Sequence, residues 1–120
     1  MAKLSKKAQD ELIQKEIEKL NNIFKDLPEE KRRAAKDLIE RVAFMTVTLG
    51  ILEDEIKTKG PVYKFEQGKQ KMIIENPAQK SYNTMINRYT SAYKELLNLL
   101  PKEKQKEEDD GFAAFVNDRD

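Results

Sequence analysis

Apolar positions along the chain follow a helical period in three stretches and alternate in one short one. In the middle stretch Ala35, Leu38, Val42, Met45, Leu49, Leu52 and Ile56 recur at intervals of three and four. That is the seam of a helix packed lengthwise against other helices. A second apolar row, Phe44, Val47 and Ile51, lies well away from the seam. One partner helix does not cover both rows, and a helix apolar on several sides must be enclosed. Little else in the chain is available for this, so copies of the chain are expected to enclose one another. The candidate oligomerisation residues are Leu38, Val42, Met45, Leu49, Leu52 and Ile56 from the seam, with Phe44, Val47 and Ile51 from the second row. The helix is expected over about 28–59, with Pro28, Glu29 and Glu30 in its first turn and Gly60-Pro61 as its stop. β-Branched residues are dense between Val42 and Ile51 and would also suit a strand. The length of the unbroken seam decides for a helix, because strands rarely exceed ten residues.

On either side the pattern repeats. Ile13, Ile17, Leu20, Phe24 and Leu27 step by four and three and predict a first helix over about 4–26, with Ser5 as its N-cap. Ala78, Tyr82, Met85, Tyr89, Ala92, Leu96 and Leu99 predict a third over about 77–100. Asn76 would cap it, Pro77 would be its first residue, and Gln79 is placed to reach back to the cap. Between the second and third helices, residues 62–74 predict a short β-hairpin turning at Gln67-Gly68, with Tyr63 and Phe65 on one face and Lys64 on the other. An isolated hairpin is marginal in water, so it should lie on a helix or on a neighbouring subunit. The fold class is therefore mostly all-α: three long helices with coiled-coil-like packing, a hairpin between the second and third, and a tail. Residues 1–100 form the helical core. Residues 101–120 have no apolar period in their first half and should be a flexible acidic tether. The tether ends in a short motif whose Phe112, Phe115 and Val116 would line one face of a helical turn. They read either as incidental aromatics or as an anchor for a partner's groove.

Composition sharpens this picture. The charged and apolar fractions are each 38% of 120 residues, lean for a compact monomer, since a chain of this size buries only about two-thirds of its unfolded surface. Net charge is only +1, but it is segregated. Residues 37–56 hold one basic and five acidic side chains, residues 57–94 eight basic and two acidic, and residues 95–120 four basic and eight acidic. The cationic middle and the acidic end suit different partners. No apolar segment follows the first residues as in a signal peptide. The uncharged run 42–52 is far short of the roughly 20 residues that span a bilayer, so no membrane association is expected and the protein should be soluble and intracellular.

Histidine and cysteine are both absent. Their absence removes the common metal ligands, the usual nucleophile–base pairs and the commonest general base. Glu53-Asp54-Glu55 point in three directions on a helix and read as solvating charge. The scattered glycines make no phosphate loop. No enzyme activity, cofactor or small-molecule substrate is expected. Nucleic-acid binding has partial support. Lys3, Lys6 and Lys7 crowd the start of the first helix, where the dipole favours anions, and Lys31, Arg32, Arg33 and Lys36 follow in the second. Lys64, Lys69, Lys71, Lys80 and Arg88 add to them, and a footprint on phosphates grows with such positions. The competing reading is ordinary solvation of helix surfaces.

Several stretches together resemble a known family. These are Ile23-Phe24-Lys25-Asp26-Leu27, the run from Ile39 to Leu49, Gly60-Pro61-Val62, Gln67-Gly68-Lys69-Gln70, Asn76-Pro77-Ala78, the run from Tyr82 to Tyr89, and Asp109-Asp110-Gly111-Phe112. In their order they resemble the small subunit of tailed-phage terminases, in the form found in phages of Gram-positive bacteria, over roughly residues 20–116. The resemblance implies a non-enzymatic, ring-forming homo-oligomer in the cytoplasm of an infected bacterial host. Such a subunit recognises viral double-stranded DNA to initiate packaging, and it recruits and regulates the large subunit with its ATPase and nuclease. The acidic, Phe-bearing end would then be a tether to the large subunit. Many members carry a separate helix-turn-helix domain, and no such motif is legible in this sequence, so no DNA-contacting residue carries over and the basic candidates rest on charge. Two other classes stay open: a helical oligomeric interaction protein or assembly chaperone that ignores DNA, and a small dimeric DNA-binding regulator.

Overall fold

The computed structural model describes residues 4–101, which form three helices and one hairpin in the order α1 (Lys6–Ile23), α2 (Glu29–Lys59), β1 (Val62–Gln67), β2 (Gln70–Glu75) and α3 (Pro77–Leu97). Lys3 and the tail residues Phe112, Phe115 and Val116 lie outside the described residues. The body is elongated, 63 × 30 × 20 Å. Its spine is α2, on which both α1 and α3 pack.

Local chemistry explains the starts of two helices. The Ser5 hydroxyl accepts a hydrogen bond from the Ala8 N–H at 3.0 Å, satisfying one of the first-turn donors that a helix leaves open. Asn76 does the same for α3, its Oδ1 accepting from the Ala78 N–H at 2.9 Å. Gln79 does not reach back to it. The Asn76 N–H already donates to the Pro61 carbonyl at 2.8 Å, so the amide of Gln79 turns outward and donates to Asn83 Oδ1. Glu29 and Glu30 sit at the positive end of the α2 dipole and Lys57 and Lys59 at the negative end. The Lys59 ammonium is held above its ordinary pKa by its hydrogen bond to Glu55 and by that carboxylate's charge.

Two helix ends fall short of the periodic pattern. α1 stops at Ile23, and the chain turns through Phe24, whose carbonyl accepts from the Leu27 N–H at 3.2 Å. Phe24 and Leu27 stay in the core, in one buried cluster with residues of α2 and α3. Likewise α3 gives way after Leu97 to tighter bonds, Leu99 N–H to Leu96 and Leu100 N–H to Leu97, which carry Leu100 into the core. Apolar spacing continues through such turns, so spacing alone overextends the helix.

The buried face of α2 is rotated from the expected seam. Ala35, Ile39, Val42, Ala43 and Leu49 are buried, while Leu38 and Met45 are only half-buried. The track runs 35–39–42–46–49, and Thr46 occupies the step that an apolar-only pattern skips. The Thr46 hydroxyl donates to the Val42 carbonyl at 2.9 Å and shares a hydrogen bond with the Tyr89 hydroxyl on α3. Further along, the Tyr82 hydroxyl donates to Glu53 Oε2 at 3.0 Å. With the Asn76 amide on Gly60, these pairs descend α2 as they ascend α3, which makes the two helices antiparallel.

Burial lifts the Tyr89 phenol above its ordinary pKa of 10.0. The bond to Thr46 opposes the shift and the Glu16 carboxylate adds to it. A group whose folded pKa is raised holds its proton more tightly in the folded state, so its contribution is intact below about pH 10 and declines as pH rises beyond it. Urea midpoints should therefore be level from neutral pH to about 9 and fall above about 10. Tyr89→Phe should flatten that fall relative to its own neutral-pH value, which isolates the contribution of the Tyr89 phenol.

The hairpin pairs Val62 with Glu75 through Gln67 with Gln70 in unbroken antiparallel register. Gly68 has φ +60° and among the described residues no non-glycine has a positive φ, so the two-residue turn is Gly68-Lys69 with glycine first, one residue later than expected. That is the pattern of a type II′ turn. Tyr63 and Phe65 share a face with their partners Ile74 and Met72, as alternation requires. Neither strand packs on a helix beyond marginal contact. The hairpin is an arm held at its base. Gly60, at φ +86°, makes the sharp exit from α2, and a Cβ there would lie 3.2 Å from the Val62 carbonyl oxygen.

Candidate functional site

The basic candidates do not form one surface. Lys31, Arg32, Arg33 and Lys36 lie exposed on the first turns of α2, where Arg33 pairs with Glu29 at 2.9 Å. Lys64, Lys69 and Lys71 are exposed on the hairpin, beyond the other end of a helix about 46 Å long. Lys64 there approaches Glu66 at 3.6 Å. Lys6 and Lys7 are exposed in the first turn of α1. Such exposed pairs are weak and leave the cations open to exchange for another anion.

Lys80 and Arg88 are an exception, because the fold brings them to a third cation that is not among the basic candidates. Arg41 is the one basic residue of the acidic stretch 37–56. It meets Lys80 and Arg88 around an open groove of about 580 Å³ between α2 and α3. Phe44, Met45 and Met85 supply the apolar lining, and the Ser81 and Thr84 hydroxyls complete the α3 wall. Spacing explains the α3 side: Lys80, Thr84 and Arg88 follow one another at intervals of four, and Ser81 and Met85 form the adjacent row. Among the described residues none of the three cations makes an ion pair. Asp37 and Glu40 flank Arg41 and Phe44 just outside the groove. Phe44 is 51% exposed, which for a phenylalanine beside three cations marks a surface suited to a partner that is both apolar and anionic.

The expected oligomerisation residues divide by burial. Val42 and Leu49 are 0% and 3% exposed within the chain's own core. Leu38, Met45, Leu52 and Ile56 are half-buried, as are Val47 and Ile51 of the second row. Val47 and Ile51 border a shallow depression between α1 and α2 that Leu4 and Leu12, both partly exposed, also line. The hairpin adds apolar surface that helical periodicity did not bring forward: Phe65, Met72 and Ile73 are exposed, Ile73 by 77%.

Glu53 and Glu55 engage different partners. Glu53 accepts from Tyr82, Glu55 pairs with Lys59 at 3.0 Å, and the Asp54 backbone carbonyl accepts from the Thr58 hydroxyl. Among the described residues no cluster of acidic side chains is arranged to hold a metal ion, and no helix is long and apolar enough to cross a membrane. No family model, curated protein or solved structure matches the chain.

Proposed function

We propose that the chain is a self-assembling, DNA-contacting component of a viral packaging machine, of the kind represented by the small subunit of tailed-phage terminases. In this reading it acts in the cytoplasm of an infected bacterial host, where it engages double-stranded viral DNA and regulates the large ATPase-nuclease subunit rather than carrying out chemistry itself. The observation that carries the reading is the unsupported hairpin. A two-stranded arm with exposed Phe65, Met72 and Ile73 needs a surface to lie on, and the helices among the described residues do not supply one. A second copy would do so. The same arm carries Lys64, Lys69 and Lys71. Repetition of the arm around a ring would multiply cations that are too few and too scattered on one copy. The ordered likenesses in sequence support the same conclusion.

Native mass spectrometry of the full chain tests the assembly. A closed set of copies of the 14.0 kDa chain is expected, and a folded 14.0 kDa monomer at working concentration ends the proposal. Titration with duplex DNA at two salt concentrations tests the partner. Binding through phosphates must weaken steeply with salt, with a slope that counts the neutralised contacts. The mixed apolar and cationic α2–α3 groove favours a second reading, a helical oligomeric interaction protein or assembly chaperone. It predicts the same mass but no DNA affinity at low salt.

A further inference from the structure

We propose that the α2–α3 groove is the docking site of the chain's own carboxyl-terminal segment, residues 107–116. The inference stands apart from the packaging reading, because it concerns what fills the groove whether or not DNA is bound. An occupant must bring apolar side chains to Phe44, Met45 and Met85, and negative charge to Arg41, Lys80 and Arg88. One segment of the chain has that composition. Glu107, Glu108, Asp109 and Asp110 are consecutive, and Phe112, Phe115 and Val116 follow directly. Methionines adapt their shape to an entering ring and make favourable sulfur–aromatic contacts. Asp37 and Glu40 lie beside Arg41 and reduce the positive field at that end. The acidic run therefore belongs with Lys80 and Arg88, and the phenylalanines with Phe44 and the methionines.

Length permits the contact. α3 ends at Leu97, and Arg88 lies about 14 Å back along its axis, at 1.5 Å per residue. From Pro101 to Glu107 an extended chain spans about 20 Å, so the acidic run reaches the groove of its own chain. The same tether also reaches a closely packed neighbour. Attachment supplies an effective concentration in the millimolar range, enough for a modest contact to be well occupied.

The absence of cysteine makes the test direct. In the full-length chain, exposed Ser81, which lines the groove, is changed to cysteine together with Ala114, between the two phenylalanines. The control pairs Ala114→Cys with Asn83→Cys, exposed and two positions along α3 on the opposite side of the helix. Under mild oxidation Ser81→Cys should cross-link about tenfold faster than the control, reflecting a populated contact rather than a random encounter. Lys80→Glu with Arg88→Glu, or Phe112→Ala with Phe115→Ala, should remove the difference. A bridge within one chain assigns the segment to its own groove, and a covalent dimer assigns it to a neighbour's; both support the proposal. Equal rates for the two pairs, or a fast rate indifferent to charge reversal, overturn it and leave the groove to a foreign peptide. A second measurement needs no cysteine. In methyl spectra of the full chain, Phe112→Ala with Phe115→Ala should shift Met45 and Met85 while Met72 on the hairpin stays in place. Unmoved Met45 and Met85 resonances also defeat the proposal.

Discussion

Leu49→Asp unfolds the chain, whereas Ile73→Asp leaves it folded and lowers its assembled mass. Leu49 is 3% exposed in the cluster that joins α2 to its neighbours. Removing a buried leucine costs about 2–5 kcal/mol in packing alone. An aspartate there adds a buried charge with no cation in the core to pair with it. Small domains hold only about 5–15 kcal/mol in total, so far-ultraviolet circular dichroism should show the helical signal lost or its urea transition no longer cooperative. Ile73 is 77% exposed and faces Lys64 across the hairpin, so an aspartate there costs the single chain little. If copies cover the arm, the same change places a charge in their contact and the native mass falls. A Leu49→Asp protein that melts like the parent would refute the core as described. An unchanged mass for Ile73→Asp would refute the hairpin as a contact between copies.

The second large effect belongs to Asn76→Ala. Asn76 is 2% exposed, and every polar group it carries is engaged. Its Nδ2 donates to the Gly60 carbonyl at 2.9 Å, its Oδ1 accepts from the Ala78 N–H, and its N–H donates to the Pro61 carbonyl. One side chain thus caps α3, ties it to the end of α2 and closes the base of the hairpin. Alanine loses the cap, worth about 1 kcal/mol with the Ala78 N–H included, and leaves the Gly60 carbonyl without its partner in a part-buried site, at about 1–3 kcal/mol more. A loss of roughly 2–4 kcal/mol is expected on these figures, with faster amide exchange in β1 and β2 than in α1. Asn76→Asp separates the roles, because it keeps the acceptor for Ala78 but has no amide to give Gly60. It also sets a carboxylate oxygen against that carbonyl in a site 2% exposed, so at neutral pH it should be destabilised at least as far as alanine. Equal stability of all three proteins would show that the arm is held by something else.

Most of the element plan is legible residue by residue because the signals that set it are local. Ser5, the Pro28-Glu29-Glu30 start, Gly60-Pro61 and Asn76-Pro77 act through the backbone within a few residues of themselves. The hairpin is similar: strict alternation at Tyr63 and Phe65 determines their shared face without any distant contact, and Gly68 marks the turn to within one residue. What misled the pattern was equally specific. Thr46, half-buried, sits between Val42 and Leu49 on the packed side of α2 and meets Tyr89, a residue on another helix, and no period of apolar residues includes a threonine. Phe24 and Leu99 keep helical spacing through turns that are no longer helical.

The groove depended still more on the tertiary structure. Lys80 and Arg88 were visible as cations of α3, but Arg41 lies about forty residues away in an acidic stretch and looks like ordinary solvation until α2 and α3 run antiparallel. By itself the chain's order of residues determined three helices, one hairpin, the apolar excess of α2 and the separation of a cationic middle from an acidic end, since each depends on neighbours along the backbone. Only the tertiary structure decided which side of α2 is spent on the chain's own core, that the hairpin stands away from the helices, and that three cations surround an apolar groove. These depend on the rotation and direction of one helix against another, which are set by packing summed over many distant pairs.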